Sequence, residues 1–467
     1  MPMITTSKTP LSLAVAALCA AAFSTTIQAQ PVVVTNGDDS GEGSLRAALD
    51  SGAREIVITT DEDILTTSTL TYAGEKSVAL YGNGQSIKAS GDYTVFAVTE
   101  GASLTVIDLN FMGTGNYSIE NQGVGKGIFL DVRDQQSGTV KLNLTNVTVS
   151  GVANHGVHVS DCSLADECGG GGGGAGDGSS AQIVANLVNT VIDDAGNGKF
   201  DADGFRVDER DRGNIIFTAT GSTFTNVGAD GVELDEGQNG EVIATVTNSQ
   251  FTMNGTYCDP ALLADFLPEP DEREDIPEGE VMVADIEVSG TPDDGCFEVE
   301  YEVHSDGSVS EYEVGLDLDD GFDIDEAGQG SLKARVYASV VDNNDDEGLD
   351  FDEEDGGKID LIAVDVMASN NRDDGIKLSE EDAGNVDVTV IATQTLDNGG
   401  IGMVFEEEAL GSLTALVQDS QTSGNDDGEV GIEAVQEDQG TGTLQLTNTT
   451  VGENPGIEVE GVEVLED

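Results

Sequence analysis

Apolar and polar residues alternate along most of the chain, and the alternation recurs behind a glycine. The repeated segments have sequences such as GFRVDE, GVELDE, GFDIDE and GLDFDE, and they begin at Gly127, Gly156, Gly204, Gly231, Gly321, Gly348, Gly375, Gly400, Gly431 and Gly456. Their spacing is 25 to 31 residues, except for steps of 48 and 90 residues after Gly156 and Gly231. Alternation with a period of two is typical of β-strands, and no helical period appears in the repeats.

A repeat of this length predicts an all-β solenoid. Each unit of roughly 27 residues has room for about three short strands and cannot bury its own apolar face, so it must stack on its neighbours. The inward positions then form apolar columns, one of which consists of Phe205, Val232, Phe322, Leu349 and Ile376. A turn position is shared by Asn226, Asn343 and Asn370, which either bond from coil to coil or serve only as turn residues.

The two long steps predict insertions between coils. The first is a glycine-rich loop at 161–180, and the second is an excursion of alternating residues at 255–315. We expect the second to be a small β-hairpin region on the side of the solenoid, which is either a lid or partner-binding knob or a surface decoration. Residues 30–467 otherwise form a single domain, in which 30–115 hold the N-terminal cap and the first coils.

The first 29 residues have the pattern of a secretory signal peptide. Lys8 precedes an apolar run from Leu11 to Phe23, and Ala29 ends a small-residue cleavage site. This run is too short to span a bilayer, and no later segment is long and apolar enough to do so. We therefore expect a secreted or cell-surface protein, with the periplasm as the alternative location.

Four cysteines follow the predicted signal peptide, an even number that suits an oxidising compartment. Neighbours in sequence pair most economically, which predicts the disulfides Cys162–Cys168 and Cys258–Cys296. The chain has no Cys-x-x-Cys pair, so a metal site built from cysteines is disfavoured.

The repeats resemble those of right-handed parallel β-helix proteins of the pectin-lyase-like type, and the N-terminal part strengthens the resemblance. The stretches VTNGDDSGEGSLRAAL (34–49), LYGNGQSIKASG (80–91) and GASLTVIDLNFMGTG (101–115) resemble the opening of secreted, adhesin-like β-helix proteins. Leu45, Ala48 and Leu49 would lie on one face of a short helix that starts at Ser44 and covers the open apolar end of the solenoid. The resemblance implies an extracellular binding or structural role, or else a polysaccharide lyase, glycoside hydrolase or epimerase.

Acidity is the extreme feature of the composition. Lys and Arg number 18 against 90 Asp and Glu, which gives a net charge of −72, and residues 151–467 hold 75 of the acids and 10 of the bases. Such a surface repels nucleic acids and anionic membranes, and it repels uronic-acid polymers unless a divalent cation stands between. Its natural partners are cations, although a solvated surface adapted to high salt would have the same composition.

Carboxylates at the outward strand positions form a candidate calcium site. If both insertions loop out between adjacent coils, Asp323 and Asp325 lie beside Asp350 and Asp352, and the array is flanked by Glu326 and Glu353. Stacked coils are about 4.8 Å apart, a distance at which ionised carboxylates repel each other. A Ca²⁺ ion, which accepts about six to eight oxygen ligands, would relieve this repulsion. The alternative is that the side chains splay into water.

Catalytic candidates are fewer. A lyase of this fold needs calcium-binding carboxylates and an Arg or Lys base, and the nearest match in this chain is Arg206 with Asp208, Glu233 and Asp235. Arg206 opposite Glu233 is equally an ordinary cross-strand ion pair. His158 lies in the same outward column as Arg206. His155 is three residues earlier in an extended segment, so the two histidines should face opposite sides and not share a zinc ion.

These observations predict a secreted, acidic, right-handed parallel β-helix protein that binds calcium and has an adhesin-like extracellular role. The expected partners are divalent cations and an extracellular polysaccharide or surface molecule. The alternative function is that of a secreted polysaccharide lyase or glycoside hydrolase.

Overall fold

The chain forms a right-handed parallel β-helix, as the repeats predict. The computed structural model describes residues 30–115, 122–133, 136–161, 178–286, 288, 294–437 and 440–466. The predicted signal peptide, residues 162–177 of the predicted glycine-rich loop, and the predicted Cys162–Cys168 pair lie outside these residues. None of the described helices is long and apolar enough to cross a bilayer.

One parallel sheet contains the glycine-led repeats, and we call it the acidic sheet. Among the described residues it has twelve strands: Leu70–Tyr72, Phe96–Val98, Ile128–Asp131, Val157–Ser160, Phe205–Glu209, Val232–Glu236, Phe322–Gly328, Leu349–Asp355, Ile376–Glu380, Met403–Glu407, Val430–Gln436 and Gly456–Glu460. Its register follows the repeat, since Phe322 pairs with Leu349 and Leu349 pairs with Ile376. Equivalent residues of successive coils therefore lie side by side.

The remaining parallel strands form a second sheet that bends around the other sides of the solenoid. The described residues give it 23 strands: Val32–Val34, Glu55–Ile58, Ile64–Thr66, Val78–Ala89, Leu104–Met112, Ser137–Val152, Ser180–Val188, Val191–Ala195, Ile215–Thr220, Thr223–Thr225, Val242–Thr247, Gln250–Thr252, Leu332–Tyr337, Val340–Asp342, Ile359–Val364, Met367–Ser369, Asn385–Ile391, Gln394–Leu396, Ser412–Gln418, Gln421–Ser423, Gly442–Thr447, Thr450–Val451 and Val462–Glu466. A single 3₁₀ turn, Asp426–Gly428, lies among the late coils.

The core lies between the two sheets, where the inward side chains of successive coils stack. Phe322 is fully buried at its centre, and its ring centroid is 5.9 Å from that of Phe217 and 5.3 Å from those of Phe251 and Phe351. The short helix Leu45–Asp50 covers the N-terminal end of this core, as predicted. Its cap is Ser44, whose Oγ accepts a hydrogen bond from the backbone N–H of Ala47 at 3.2 Å.

The 90-residue step contains an excursion that leaves the strand stack intact, because Val232 pairs directly with Phe322. Within it lie the helix Pro260–Leu263 and the 3₁₀ turns Ala264–Phe266, Val283–Asp285 and Asp294–Cys296. A small antiparallel sheet is formed by Glu272–Arg273, Val299–Val303 and Val309–Val314. The predicted disulfide Cys258–Cys296 is confirmed, and both cysteines are buried against Tyr257 and Leu263.

An asparagine ladder runs through the solenoid, one residue later than the repeat spacing indicates. Each Nδ2 donates to the next coil at 2.8–3.0 Å, along the series Asn254, Asn344, Asn371, Asn398, Asn425 and Glu453. The predicted ladder residues Asn226, Asn343 and Asn370 have φ angles of 53°, 59° and 55°, and two of them also bond between coils: Nδ2 of Asn226 donates to Asp193 at 2.8 Å and Nδ2 of Asn370 donates to Asp342 at 2.9 Å. They provide left-handed turn positions, which asparagine tolerates better than most residues.

Candidate functional site

A cleft of about 580 Å³ lies where the outer face of the acidic sheet meets the excursion. Of its lining side chains in the described part of the chain, fifteen are carboxylates, two are cations and two are apolar. The sheet contributes strand residues such as Asp323 and Asp350, and the excursion contributes Glu298 and Glu300 on the opposite wall. The cleft therefore concentrates negative charge between two separate parts of the fold.

Arg206 provides the positive charge at the N-terminal end of the cleft. Its Nε donates to Asp208 at 2.7 Å, its Nη1 donates to Asp201 at 3.0 Å, and its Nη1 also contacts Glu233. Arg206 has an exposed fraction of only 6%. Burial alone would lower the pKa of Arg206, but the surrounding carboxylates raise it well above its usual value. This guanidinium is a permanent counter-ion, not a group that gives up its proton.

The other predicted catalytic residues lie beside Arg206 but beneath the surface. His158 donates from Nε2 to Asp208 at 2.5 Å, and its Nδ1 is 2.5 Å from Nζ of Lys126. Asp235 is fully buried and pairs with Arg210 through Oδ1 at 2.9 Å. Of the five predicted catalytic residues, only Arg206 and Glu233 line the cleft.

The expectation that the two histidines face opposite sides is wrong. The ring centroids of His155 and His158 are 4.6 Å apart, and both rings are buried. The strand begins only at Val157, so His155 lies in the preceding turn, where strand alternation does not apply. Burial, followed by the charge of neighbouring groups, lowers the pKa of both histidines, which favours neutral imidazoles.

Lys377 provides the positive charge at the C-terminal end of the cleft. Its Nζ donates to Asp350 at 2.9 Å and to Glu347 at 3.2 Å. Burial opposes the charge of Lys377, but these carboxylates outweigh it and raise its pKa. Lys377 therefore neutralises part of one end of the cleft and leaves the middle without a cation of its own.

The middle of the cleft contains the predicted aspartate array. Asp323 pairs with Asp350 in the strand register, and Asp325 pairs with Asp352. Burial, then the charge of neighbouring aspartates, raises the pKa of Asp325 to about 7. Burial and Glu347 raise the pKa of Asp350 to about 7 against the effect of Lys377. Within the described part of the chain, Oδ1 of Asp350 and Oδ1 of Asp352 are buried without a hydrogen-bond partner.

The predicted flanking ligands Glu326 and Glu353 do not reach this array. Both are buried within their strands, one residue beyond Asp325 and Asp352, so their side chains point to the inner side of the sheet. Counting along the strand places them there, since the outward positions alternate with inward ones. They do not line the cleft.

Several acids of the cleft come from turns that the strand pattern does not cover. Among the residues that the structure describes, four groups of carboxylates have ligand atoms within 4.8 Å of one another: Asp201–Asp203–Glu233, Glu233–Asp323–Asp325, Asp320–Glu347–Asp350 and Asp346–Glu347–Asp373. Asp320 and Glu347 directly precede the repeat glycines Gly321 and Gly348. An acid before the repeat glycine is the sequence signal that would have identified them.

The comparisons with known proteins concern structures alone, because no family model and no curated protein sequence matches this chain. It is similar to the Dettilon tailspike protein (gp208), with 10% identity, a TM-score of 0.46 and coverage of 92% of this chain and 68% of that one. The Geobacillus virus E2 protein ORF18 has 10% identity, a TM-score of 0.42 and coverage of 94% of this chain and 61% of that one. The periplasmic alginate epimerase AlgG has 10% identity, a TM-score of 0.39 and coverage of 94% of this chain and 85% of that one.

Proposed function

We propose that this chain is an extracellular binding protein whose acidic cleft binds Ca²⁺ and, through it, an extracellular polysaccharide or surface partner. One observation carries the proposal. Four aspartates are paired across two coils between Arg206 and Lys377, and the Oδ1 atoms of Asp350 and Asp352 are buried without a hydrogen-bond partner in the described part of the chain. Unpaired buried carboxylate oxygens are unfavourable, and a cation is the partner that the array lacks.

The electrostatics of the array favour a divalent ion. Two ionised carboxylates on neighbouring strands, about 4.8 Å apart, repel each other by about 3 kcal/mol at an effective dielectric constant of about 20. This penalty recurs for each register pair, so the array either takes up protons or binds a cation. Its ligands are carboxylate oxygens, which suit Ca²⁺ better than the transition metals that prefer imidazole and thiolate.

Bound calcium would also change what the cleft attracts. The bare cleft repels acidic sugars, because fifteen of its lining side chains are carboxylates. A divalent ion that keeps open coordination positions presents positive charge to a uronate or sulfate group. The cleft volume of about 580 Å³ is within the range of small-ligand sites and can hold a few sugar units.

Calcium binding can be measured directly by isothermal titration calorimetry in buffered NaCl. We expect a saturable calcium signal in the native protein and at least a tenfold weaker Kd in the variant D325N/D352N, which loses two array ligands that form no ion pair. The control D265N/D271N removes the same charge from two exposed positions of the excursion and should leave Kd unchanged. The absence of saturable binding by the native protein at millimolar Ca²⁺ would overturn the proposal.

Glycoside hydrolysis is the second candidate function, and one observation favours it over a lyase reaction. The pKa values of Asp325 and Asp350 are both raised to about 7, so one carboxyl can act as acid while another acts as base near neutral pH. Arg206 does not suit the base role of a lyase, because five carboxylates hold its proton in place.

An assay for new reducing ends on a panel of acidic and neutral polysaccharides tests this second function. A hydrolase should release reducing ends with a bell-shaped pH profile centred near neutrality, and D350N should abolish the release. The control D265N/D271N should retain it. Binding of the same polysaccharides without release of ends would leave the binding function and exclude hydrolysis.

A further inference from the structure

Six glutamates form a buried column that the acidic cleft does not use. They occupy the same inward register position in successive strands of the acidic sheet: Glu209, Glu236, Glu326, Glu353, Glu380 and Glu407. Their exposed fractions are 0–1%. We call this set the glutamate column. In the next coil, Gln436 takes the same position beside Glu407.

Each column residue precedes a glycine by four positions, and this spacing has a structural cause. Oε1 of Glu209 accepts from the backbone N–H of Gly213 at 2.8 Å, and Oε1 of Glu353 accepts from Gly357 at 2.7 Å. A Cβ atom at Gly357 would lie 2.3 Å from Oε1 of Glu353, so a side chain has no room there. The motif Glu-x-x-x-Gly recurs at all six positions, and Gln436 and Gly440 repeat it with an amide.

In the part of the chain that the structure describes, none of the five glutamates from Glu209 to Glu380 pairs with a Lys, Arg or His. At its N-terminal end stand Asp161 and Arg210, and the Arg210 guanidinium binds Asp235 and the backbone oxygen of Glu209. At its C-terminal end stands the neutral Gln436.

Several oxygens of the column have a partner only if protons are present. In the described part of the chain and treated as ionised acceptors, Oε2 of Glu209 and both carboxylate oxygens of Glu326 and of Glu380 are buried without a hydrogen-bond partner. Neighbouring carboxyl groups are nevertheless within hydrogen-bonding reach, as between Glu209 and Glu236 and between Glu326 and Glu353. A protonated carboxyl can donate to the carboxylate of the next coil, whereas two carboxylates can only repel.

We propose that the glutamate column is a proton-binding site at its N-terminal end, where the carboxyl groups of Glu209 and Glu236 share a proton at neutral pH. The proton forms an O–H···O⁻ hydrogen bond from one carboxyl to the other and removes one of two adjacent negative charges. A metal ion does not suit the column, because one oxygen each of Glu209, Glu236 and Glu353 already bonds to backbone and glycine backbone packs against the carboxyl groups. Calcium would need about six to eight oxygens.

The direction of the pKa shifts agrees with this arrangement. Burial, then the adjacent Glu236 carboxyl and the charge of Asp161, raises the pKa of Glu209 to about 11, and burial raises the pKa of Glu236. A carboxyl whose pKa is higher in the folded than in the unfolded state contributes stability that is fully present below the unfolded pKa. That contribution is lost as the pH rises through the folded pKa. The column should therefore stabilise the protein least in alkaline solution.

The variant E209Q/E236Q tests the column, since Gln436 shows that an amide fits this register position. We expect the melting temperature of the native protein to fall steadily between pH 6 and pH 10 in the absence of calcium. The melting temperature of the variant should fall less over this range and should be the higher of the two at pH 9. The reason is that an amide donates a hydrogen bond as a protonated carboxyl does but never ionises. Its pH slope of stability should correspond to about one bound proton fewer.

Two further measurements keep the test decisive. The control E311Q/E313Q changes two exposed glutamates of the excursion and should reproduce the native pH slope. If the double variant fails to fold, the single variant E236Q and the protons released when the native protein unfolds in unbuffered urea at pH 7 replace it. A variant with the native pH slope, or native unfolding without proton release, would show that the column is ionised and overturn the proposal.

Discussion

Methionine in place of Arg206 is expected to destabilise the protein by about 3–5 kcal/mol at pH 7, the range for removing one partner of a buried ion pair. Methionine retains much of the aliphatic stem and removes the charge. It leaves Asp208, which is 2% exposed, and Glu233, which is 5% exposed, without their shared counter-ion. Urea denaturation followed by circular dichroism measures the loss.

The pH dependence of this loss identifies its cause. Burial would raise the pKa of Asp208, but Arg206 and His158 hold it well below its ordinary value. A depressed carboxyl pKa contributes stability above the unfolded pKa and loses it as the pH falls through the folded value. The gap in stability between native protein and variant should therefore narrow as the pH falls below about 4, the ordinary pKa of an aspartate. Arg212, with a side chain 74% exposed beside Asp211, is the matched control, and R212M should change stability by less than about 1 kcal/mol. An equal loss in both variants would contradict this account.

Alanine in place of Phe322 should destabilise the solenoid by about 3–5 kcal/mol, because the ring fills the centre of the aromatic stack. Phe322 is fully buried, and three phenylalanine rings lie within 6 Å of its centroid. The loss combines the transfer of a ring out of the core with a cavity that stacked strands cannot close. Hydrogen exchange is the informative measurement, since long repeat arrays depart from two-state unfolding.

Exchange should accelerate most in the strands that flank the deletion, Val232–Glu236 and Leu349–Asp355, and least at the far ends of the solenoid. Phe266 offers a control in the excursion, where its ring is 36% exposed, and F266A should leave the exchange of the coils unchanged. Uniform acceleration along the whole chain would show that the solenoid unfolds as one cooperative unit.

The sequence predicts the solenoid well because two regularities agree. Period-two alternation specifies strands, and the 27-residue step between Phe322 and Leu349 specifies which residues become neighbours. The same step predicts the pairing of Asp323 with Asp350, because residues 27 positions apart occupy equivalent places in adjacent coils. One error concerns His155, which lies in a turn before the strand, where alternation does not apply. The other concerns Glu326, which is predicted on the outward face although its position in the strand faces inward.

The cleft is harder to predict, because it needs information that repeats do not contain. Asp320 and Glu347 lie in turns, whose path depends on the packing of the following coil. The wall that carries Glu298 and Glu300 belongs to the excursion, and only the folded chain shows that this segment returns over the acidic sheet. Strand alternation also cannot distinguish an exposed carboxylate from one covered by such a segment.

The direct pairing of Val232 with Phe322 has a consequence for how this protein can evolve. The coils before and after the excursion are joined as if nothing had been inserted, so changes of length or sequence at 255–315 do not disturb the strand register. Most of the cleft thus belongs to the stacked coils and their turns, whereas the wall with Glu298 and Glu300 belongs to a segment that lies outside the strand stack. Descendants of one ancestral solenoid could acquire new ligand preferences by exchanging that segment, while the acid-bearing coils remain under the constraint of stacking.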